Sequence, residues 1–327
     1  MKIYRLHILL MALVMVGLLA LPFTVLAQYY PTRPVTMIVP YVAGGPTDLI
    51  ARLISDKMRE QLGQPIVVEN LSGAGGSIGV SKVAHATPDG YTLSIGNNGS
   101  NVLGGAIYPL AFDLIRDFEP VAILASNPQV IISKKTIPAE SLAELIAWLK
   151  ANQKSVSVGI AGPVAAVSVV NFENLTSTHM QIVPYRGAAP AIQDLMAGQI
   201  DVMIDQLSNA VPQIKAATVR AYVVTAKNRS PAAPEIPTVD EAGLPGFYAS
   251  LWSGLWAPKG TRHDIIFKIN AAVRQALADP MVRRRLADVG QDVTPVDERS
   301  PEALAAFQKA EIEQWWPIAK AANLKGE

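Results

Sequence analysis

Short apolar runs alternate with stretches of helical spacing along most of the chain, and glycine-rich or polar turns join them. In the first part, Val35–Pro40, Ile66–Glu69 and Tyr91–Ile95 predict strands. Apolar residues at helical spacing follow the first strand and stop at Gly63, a residue type that commonly ends helices. Helices between successive strands, with short connections, are typical of a parallel sheet covered by helices.

The pattern restarts after a polar loop expected at Gly96–Asn101. Val121–Ala125 and Gln129–Ser133 predict two strands, and Ser141 and Glu144 form a capping box that opens a helix. Further predicted strands are Val156–Ile160, Gln181–Pro184, Ile200–Asp205 and Arg220–Thr225, and further predicted helices are Pro190–Ala197, Arg262–Ala278, Pro280–Val289 and Pro301–Ala322. Because no long Gly/Ser linker separates the halves, two domains joined by short crossover strands are expected.

Residues 1–27 have the features of a secretory signal peptide. Lys2 and Arg5 give a basic start, Ile8–Ala20 is an unbroken apolar run, and cleavage is expected after Ala27. An uncleaved membrane anchor is the alternative, because residues 8–27 are nearly long enough to span a bilayer. The chain contains no cysteine, so neither a lipid-anchored cysteine nor a disulfide is available.

Composition and charge argue against several classes of protein. Of the 327 residues, 50% are apolar and 17% are charged, so the chain is globular rather than disordered. Removing the two basic residues of the signal peptide takes the formal net charge from +1 to −1, and no basic cluster points to nucleic acid. His85, His179 and His263 lack metal-ligand spacing, so we expect neither a metal nor another cofactor.

The segment Gly73–Gly79 (GAGGSIG) contains parts of two enzyme motifs. It lacks the third glycine of the dinucleotide-binding motif, and no acidic strand end follows at the required distance. It does match G-x-S-x-G around Ser77, with histidines downstream, so an exported serine hydrolase is one hypothesis. A nucleophile elbow follows its strand directly, however, whereas Ser77 lies several residues beyond the strand that ends at Asn70.

Glycine turns follow predicted strands at three places: Gly44–Gly45, Gly96–Asn101 and Gly162–Pro163. Backbone N–H groups at such turns, together with the dipole of a following helix, favour an anion. Ligands of open α/β sheets bind beyond the carboxyl ends of the strands. Each turn alone is explained by a tight connection that needs glycine, but three of them in two matched halves predict a cleft for an organic carboxylate.

Six segments in register resemble the Bug family, the periplasmic solute receptors of tripartite tricarboxylate transporters, from about Tyr30 to the C-terminus. The segments are YPTRPVTMIVPYVAGGPTDLIARL, GQPIVVENLSGAGGSIG, DGYTLSIGNNGS, IVPYRGAAPAIQDLMAGQIDVMIDQLSNAVPQIKA, PEIPTVDEAGLPGF and LWAPKGT. The resemblance implies an α/β fold of the two-domain periplasmic binding protein type (type II, Venus-flytrap), with a ligand cleft between the domains. We expect domain 1 at residues 28–127 and 251–327, and domain 2 at residues 128–250.

The resemblance also implies a function. A receptor of this family captures a small organic carboxylate in the periplasm and delivers it to a separate membrane permease, without catalysing a reaction. We expect such a receptor to be a monomer. A receptor that presents its closed form to a signalling partner is the remaining alternative, beside the exported hydrolase.

The resemblance implies ligand contacts from four loops or turns and from one strand end. The matching residues here are Tyr41, Gly44, Gly45, Thr47 and Asp48 in the first loop, Asn97, Asn98, Ser100 and Asn101 in the second, Gly162, Pro163, Val164 and Ala165 at a helix start, and Tyr185, Arg186, Gly187, Asp205 and Gln206 in the second domain.

One part of this expected pocket departs from the family. After Gly162, relatives usually carry small hydroxyl residues and often a histidine, whereas here Ser168 is the first hydroxyl. Pro163 also removes one N–H group. We therefore expect a carboxylate held by the first domain, with an aromatic or otherwise weakly polar body against Val164, Ala165 and Tyr41, rather than citrate with its three charges.

Three charged residues of this pocket have two interpretations each. Asp48 either contacts the ligand or, most simply, is a capping or dipole-pairing residue at a helix start. Asp205 either orders waters or meets a ligand amine, or it is an exposed strand-end residue. Arg186 either pairs with a ligand carboxylate or is a solvated turn arginine. The residues expected in the core rather than in an aromatic box are Trp252, Trp256, Trp315 and Trp316.

Overall fold

A computed structural model describes residues 29–153 and 155–325 of the chain. The expected signal peptide at residues 1–27 lies outside the described residues. The chain divides into two compact units, Met1–Thr32 and Arg33–Glu327, and the sheet, the helices and the candidate site all belong to the second. The domain boundaries expected from the sequence stay a prediction.

Strands and helices alternate through most of the described chain. The strands are β1 (Val35–Val39), β2 (Ile66–Asn70), β3 (Thr92–Asn97), β4 (Phe118–Ser133), β5 (Ser157–Ile160), β6 (Gln181–Pro184), β7 (Val202–Gln206), β8 (Arg220–Val224), β9 (Ser250–Pro258) and β10 (Asp292–Val293). The helices are α1 (Pro46–Leu62), α2 (Ser77–Ala84), α3 (Gly104–Ile107), α4 (Leu142–Asn152), α5 (Pro163–Thr176), α6 (Ala188–Ala197), α7 (Leu207–Lys215), α8 (His263–Ala276), α9 (Pro280–Asp288) and α10 (Pro301–Ala321).

The strands of the described residues form one sheet in the order β2-β1-β3-β9-β4-β7-β5-β6, with β8 and β10 also paired to β4. β1 is parallel to β2 and β3, and β5 is parallel to β6 and β7. β4 and β9 run antiparallel to each other between these groups. We call the part built on β1, β2, β3, β9 and β10 the first half and the part built on β5 to β8 the second half, and β4 belongs to both.

β4 is one strand of 16 residues where the sequence predicts two. It pairs with β9 as far as Pro128 opposite Ser250, and it pairs with β7 from Gln129 opposite Gln206. The predicted break between Ala125 and Gln129 is therefore wrong. Cross-strand pairing on β9 overrides the turn preference of the Asn-Pro dipeptide at this point.

The polar loop expected at Gly96–Asn101 is also wrong. Gly96 and Asn97 end β3, and Gly99–Leu103 form a π-helical turn whose residues are buried. Two further elements, α7 and β9, were not predicted from the sequence. β9 carries buried residues on both faces, and this lack of alternation leaves no strand period to recognise.

Apolar clusters cover both faces of the sheet. In the second half, Ile131 packs with Phe172 of α5 on one face, and Val130 packs with Leu195 of α6 on the other. In the first half, the core contains Trp252 and Trp256, which confirms their expected burial. A further cluster joins the halves, because Val167 of α5 packs against Leu103, Trp315 and Ala319.

Helix ends follow local side-chain signals. The Ser141 hydroxyl accepts a 3.2 Å hydrogen bond from the Glu144 N–H, as the capping box predicts. The Glu144 carboxylate accepts from the Glu140 N–H at 2.7 Å, one residue earlier than in the standard box. Gly63 ends α1 with φ +70°, a conformation that glycine adopts without strain.

Candidate functional site

The carboxyl ends of the parallel strands of both halves meet near the middle of β4. Asn97 at the end of β3 pairs with Ser253 of β9, whose first residue Ser250 pairs with β4 at Pro128. Gln206 at the end of β7 pairs with the next residue of β4, Gln129. The turns that follow β1, β3, β5, β6 and β7 therefore surround the point at Asn127–Gln129 where β4 passes from the first half to the second. We call this point the crossover. The carboxyl ends of strands at such a point are the usual place for a ligand in open α/β sheets.

The first loop is held in place by the buried carboxylate of Asp48. Its Oδ2 accepts from the Gly44 N–H at 2.8 Å and from Arg52 Nε at 2.9 Å, and its Oδ1 accepts from Asn70 Nδ2 at 3.0 Å. Burial alone would raise the pKa of Asp48, but the hydrogen bonds from Arg52, Gly44 and Asn70 lower it below its usual range. The Gly44 N–H is thus occupied by the protein itself, which corrects the expectation that both glycines expose theirs.

Two residues that support this loop were missed by sequence reasoning. Asn70 Nδ2 also donates to the Tyr41 carbonyl oxygen at 3.0 Å, so the end of β2 ties the loop down. Arg52 lies four residues after Asp48 on α1, a spacing that brings opposite charges together and was a usable signal. Asn70 carried no such signal, because Tyr41 and Asp48, to which it donates, lie 29 and 22 positions away in the sequence.

The N-terminus of α1 leaves backbone donors open. Gly45 occupies the N-cap position, so no side chain accepts from the first turn, and Pro46 follows at the first helical position. The N–H groups of Gly45, Thr47 and Asp48 have no acceptor among the residues that the structure describes. Unpaired N–H groups and the positive end of the helix dipole together form a site for an anion.

Asn97 connects the first loop to the second. Its Oδ1 accepts from the Tyr41 hydroxyl at 2.6 Å, from the Gly99 N–H at 2.8 Å and from the Ser100 N–H at 3.3 Å. Its Nδ2 donates to Thr47 Oγ1 at 3.4 Å. Burial raises the pKa of Tyr41 to about 12, although hydrogen bonds with Ser100 and Asn97 act in the opposite direction. The Tyr41 hydroxyl therefore stays neutral at physiological pH.

Three polar residues follow Asn97. Asn98 keeps a side-chain oxygen without a partner, whereas the side chains of Ser100 and Asn101 bond to each other. Asn98 Nδ2 donates to the Ser250 carbonyl oxygen at 2.9 Å, while its Oδ1 is buried without a partner. Ser100 Oγ donates to Asn101 Oδ1 at 2.7 Å. A methyl group on Gly96 would lie 2.0 Å from the same Asn101 oxygen, so glycine is required there. Asn101 is fully buried and lies beneath the site rather than in it.

α5 begins in the same way as α1. Gly162 is its N-cap, Pro163 its first residue, and no side chain caps it. Gly162 has φ +91° and ψ 176°, a combination that is essentially restricted to glycine. The N–H groups of Val164 and Ala165 have no acceptor within residues 29–153 and 155–325. The second half thus presents a second uncapped helix N-terminus at the crossover.

Val164 approaches the first half closely. A methyl group built on Gly99 would lie 3.6 Å from the Tyr41 hydroxyl oxygen and 3.6 Å from Val164 Cγ2. Behind this contact, a cavity of about 10 Å³ is lined by residues that include Asn98, Val164 and Ser168. Such a volume holds about one water molecule. The two halves are therefore close together in this structure.

Tyr185, Arg186 and Gly187, which follow β6, differ in the polar groups that they offer to a ligand. The Tyr185 hydroxyl donates to Asp194 Oδ2 at 2.7 Å, and burial followed by this carboxylate raises the pKa of Tyr185 to about 12. Arg186 is exposed, and the structure records no hydrogen bond or ion pair for its guanidinium group in the described chain. Gly187 has φ 174°, an extended conformation that any residue adopts. Arg186 is thus the residue of this turn with free donors.

The end of β7 carries a buried carboxylate. Asp205 is 3% exposed and accepts from Asn209 Nδ2 at 3.1 Å, so the interpretation as an exposed strand-end residue is wrong. Burial raises the pKa of Asp205 to about 6, against hydrogen bonds from the Gln206 backbone and Asn209. Gln206 Oε1 and the cross-strand Gln129 Oε1 are both buried without a partner. These two amides add polar groups close to the crossover.

Ser77 does not have the surroundings of a catalytic serine. It is the first residue of α2 and follows a short 3₁₀ turn, Ala74–Gly76, rather than the end of a strand. In the described chain its hydroxyl makes no hydrogen bond to a histidine; His85 contacts the Ser81 carbonyl oxygen and His179 pairs with Glu173. The nucleophile elbow that the G-x-S-x-G match suggested is therefore not formed.

The described residues contain neither a candidate metal site nor a helix that could span a membrane. No group of three or more His, Cys, Asp or Glu side chains there is arranged to hold a metal ion. None of the helices within residues 29–153 and 155–325 combines the length and the apolar character needed to cross a bilayer.

Most of the chain matches a known protein family. The model described as "TctC: Tripartite tricarboxylate transporter family receptor" matches residues 50–324. A protein of Agrobacterium vitis named "UPF0065 protein in the TAR-I ttuE-ttuC' intergenic region" is 42% identical over 94% of this chain and 89% of its own length. Protein BugT of Bordetella pertussis is 33% identical over 91% of this chain and 92% of its own length.

Solved structures with the same fold include two ligand complexes. MatC (Rpa3494) from Rhodopseudomonas palustris with bound malate has a TM-score of 0.79 and 42% sequence identity, over 88% of this chain and 99% of that chain. R. palustris Rpa4515 with adipate has a TM-score of 0.80 and 33% identity, over 90% of this chain and 99% of that chain.

Proposed function

Because the chain belongs to the TctC receptor family of tripartite tricarboxylate transporters, we propose that it captures a small organic carboxylate between its two halves and releases it unchanged. The resemblance to the Bug proteins is confirmed by the family match and by the identity to BugT. The fold is that of two-domain periplasmic binding proteins, whose solved members align over nearly their whole length. Such receptors act in the periplasm.

The observation that carries this proposal is the pair of uncapped helix N-termini. α1 and α5 both begin with Gly-Pro, so neither helix supplies a side-chain acceptor for its own first N–H groups. The open donors at Thr47 and Asp48 belong to the first half, and those at Val164 and Ala165 belong to the second. An anion that reaches both helix ends joins the two halves and so stabilises the closed form.

This arrangement favours a particular ligand shape. Side-chain donors are plentiful at α1, where Thr47, Asn97 and Tyr41 form one network. At α5 the side chains are Val164 and Ala165, and only their backbone donates. A dicarboxylate with an apolar middle fits both ends, in keeping with the adipate bound by one structural relative. The malate bound by another relative is also a dicarboxylate, although its middle carries a hydroxyl group. An aromatic or otherwise weakly polar acid stays a prediction.

A binding screen tests the proposal. The mature chain, purified and stripped of ligand by partial unfolding and refolding, is titrated by calorimetry with adipate, malate, benzoate and citrate. Adipamide, which keeps the length of adipate without its charges, is the matched control. We expect adipate or benzoate to bind with a Kd near about 1 μM, or about −8 kcal/mol, and adipamide not to bind.

Two results would contradict it. If citrate binds most tightly and adipate and benzoate have no effect, the inferred apolar middle is wrong. If adipamide binds as well as adipate, the helix N-termini do not hold a carboxylate. Hydrolysis of a generic ester that depends on Ser77 would favour the hydrolase alternative, which neither the relatives nor the surroundings of Ser77 support.

The partners follow from the same proposal. A receptor of this kind delivers its ligand to the membrane permease subunits of a tripartite tricarboxylate transporter, acts as a monomer, has no enzymatic activity, and reaches the periplasm through the signal peptide at residues 1–27. Uptake of radiolabelled ligand by cells that carry the permease, with and without the receptor gene, tests delivery. Uptake that is unchanged without the receptor would instead favour a signalling role.

A further inference from the structure

A second pocket lies on the first half, away from the crossover. It has a volume of about 510 Å³ and opens between α8 and the segment before α10. Asn270 Nδ2 at its base donates to the carbonyl oxygens of Val121 and Arg299. Val121 precedes the crossover residue Asn127 by about 20 Å along the extended β4 strand. The pocket is thus separate from the carboxylate cleft.

Arg299 forms the base of this pocket and has an incomplete set of partners. The residue is 1% exposed, and its Nε donates to the Thr294 carbonyl oxygen at 2.6 Å. Its two terminal nitrogens have no hydrogen-bond acceptor in the described chain. A guanidinium group has five N–H donors, and burying its charge without an opposite charge is unfavourable. The pocket is the side from which such a charge can reach it.

The surroundings of Arg299 are positive. Burial, and then the charges of Arg283 and Arg274, lower the pKa of Arg299. None of these three arginines forms an ion pair with a carboxylate among the residues that the structure describes. Asp297 and Glu298 are near in sequence, but both are exposed and neither pairs with them. Positive charge that no acid of the described chain neutralises favours an oxyanion, and a guanidinium group binds a carboxylate or phosphate through paired N–H donors.

The upper walls of the pocket are apolar. Phe267 is 51% exposed and Val296 is 52% exposed, and both line the opening together with Ala271 and Ala278. Exposed large apolar side chains next to convergent polar groups are typical of a small-molecule site. We propose that Arg299 and Arg274 form a second anion site, which binds a carboxylate or phosphate carried on an apolar group that packs against Phe267 and Val296.

Site-resolved titration tests this proposal. Backbone amide NMR signals of Ala271 and Val296 report on the pocket, and those of Gly45 and Gly99 report on the cleft. The protein is titrated with phenyl phosphate, benzoate and inorganic phosphate at constant ionic strength. We expect saturable shifts at Ala271 and Val296, with an aromatic oxyanion binding more tightly than inorganic phosphate. The tighter of phenyl phosphate and benzoate identifies the charged group.

Two charge-removing variants distinguish a specific anion site from non-specific electrostatic attraction. Arg274→Gln removes one arm of the pocket and should weaken binding about tenfold, as expected for one lost charge-assisted hydrogen bond. Arg284→Gln removes the same charge from α9 outside the pocket lining and should leave the Kd within about twofold. Both residues are exposed, so both variants should fold.

Either of two results would overturn the inference. No saturable shift at Ala271 and Val296 with any of the three anions would mean that the pocket is not a binding site. Equal weakening by Arg284→Gln and Arg274→Gln would mean that the anion responds only to net charge. Shifts at Gly45 and Gly99 report the cleft alone, so this test is independent of the carboxylate receptor function.

Discussion

Asn97 is the residue on which the first half of the proposed site depends. Its side-chain oxygen gathers three donors, and its nitrogen reaches Thr47 at the start of α1. The sequence pointed to this residue only through its family resemblance and its place after a predicted strand. Its buried position at the end of β3, just before a π-helical turn, was not predictable, because the chain there is rich in glycine and asparagine, which usually indicate a loop.

Asn97→Asp should preserve the fold and weaken ligand binding. An aspartate oxygen accepts the same three hydrogen bonds, but it adds a negative charge where the proposed carboxylate sits. Two like charges about 5 Å apart repel by about 3 kcal/mol at an effective dielectric constant of 20, which is about a hundredfold in Kd. Calorimetry with the tightest ligand of the screen measures this loss.

The matched control for this variant is Asn152→Asp. Asn152 donates to the Trp148 carbonyl oxygen at the far end of α4, so the same change there should leave the Kd unchanged. Equal affinity of Asn97→Asp and the wild type would place the ligand carboxylate elsewhere.

Asp205 should make stability depend on pH in an unusual direction. Its folded-state pKa of about 6 lies above the ordinary value of 3.8, so the folded protein holds the proton more tightly than the unfolded chain. Its contribution is therefore fully present below about pH 4 and is lost as the pH rises through 6. The loss amounts to roughly 3 kcal/mol. Asp205→Asn should gain stability relative to wild type by that amount between pH 4 and pH 7, as measured by urea unfolding.

Asp201→Asn, at the residue just before β7, is the contrasting variant. Burial alone would raise the pKa of Asp201, but the bonds from Lys134 and Ser157 lower it. That carboxylate therefore stabilises above its unfolded pKa, and the variant should be less stable than wild type at pH 7. A flat difference between Asp205→Asn and wild type across the range would show that Asp205 is solvated.

At the scale of single elements, Gly162 and Gly187 differ in backbone conformation, although each follows a predicted strand of the second half. Gly162 has a positive φ with open space around its Cα, so a Cβ there is opposed only by the backbone conformation. Gly187 is extended and also has open space. Gly162→Ala should lower the free energy of unfolding by about 1–3 kcal/mol, and Gly187→Ala should leave it unchanged or slightly raised.

Urea unfolding of the two alanine variants measures this difference. Equal stability of both would mean that the start of α5 relaxes without loss. Gly162→Ala should also weaken carboxylate binding, because the donors of Val164 and Ala165 are oriented by the glycine that precedes them.

The elements show where sequence periodicity was sufficient and where it was not. The bounds of α1, β6 and α10 follow closely from helical or apolar spacing and from Gly63 or Pro301 at their ends. β4 and β9 could not be derived, because their pairing comes from residues more than a hundred positions apart in the chain. Long-range pairing decides strands of this kind, and local propensity does not.

At the scale of the whole molecule, the contact between halves provides an optical signal. Trp315 is 7% exposed and packs against Val167 of the second half. If the ligand-free protein opens, this side chain becomes hydrated, so ligand binding should shift the fluorescence emission to shorter wavelength. Trp315→Phe should remove most of the shift. Trp148→Phe, which alters α4 away from the contact, should retain it.

The fluorescence titration also distinguishes two views of the apo state. An unchanged emission maximum on binding in the wild type would mean that the halves stay together without ligand, and that the acid enters by another route. The repeated strand–helix pattern and the family resemblance both predicted two domains, whereas the closeness of Val164 to Gly99 required the structure.

One consequence of β4 reaches beyond ligand binding. Because one continuous strand lies in the interior of the sheet in both halves, neither half completes its strand pairing without the other. Cutting the chain near Asn127 would leave an unpaired strand edge on each fragment, and such edges pair with other chains. The receptor should therefore melt as one body in calorimetry, and evolution can exchange its turns more easily than its halves.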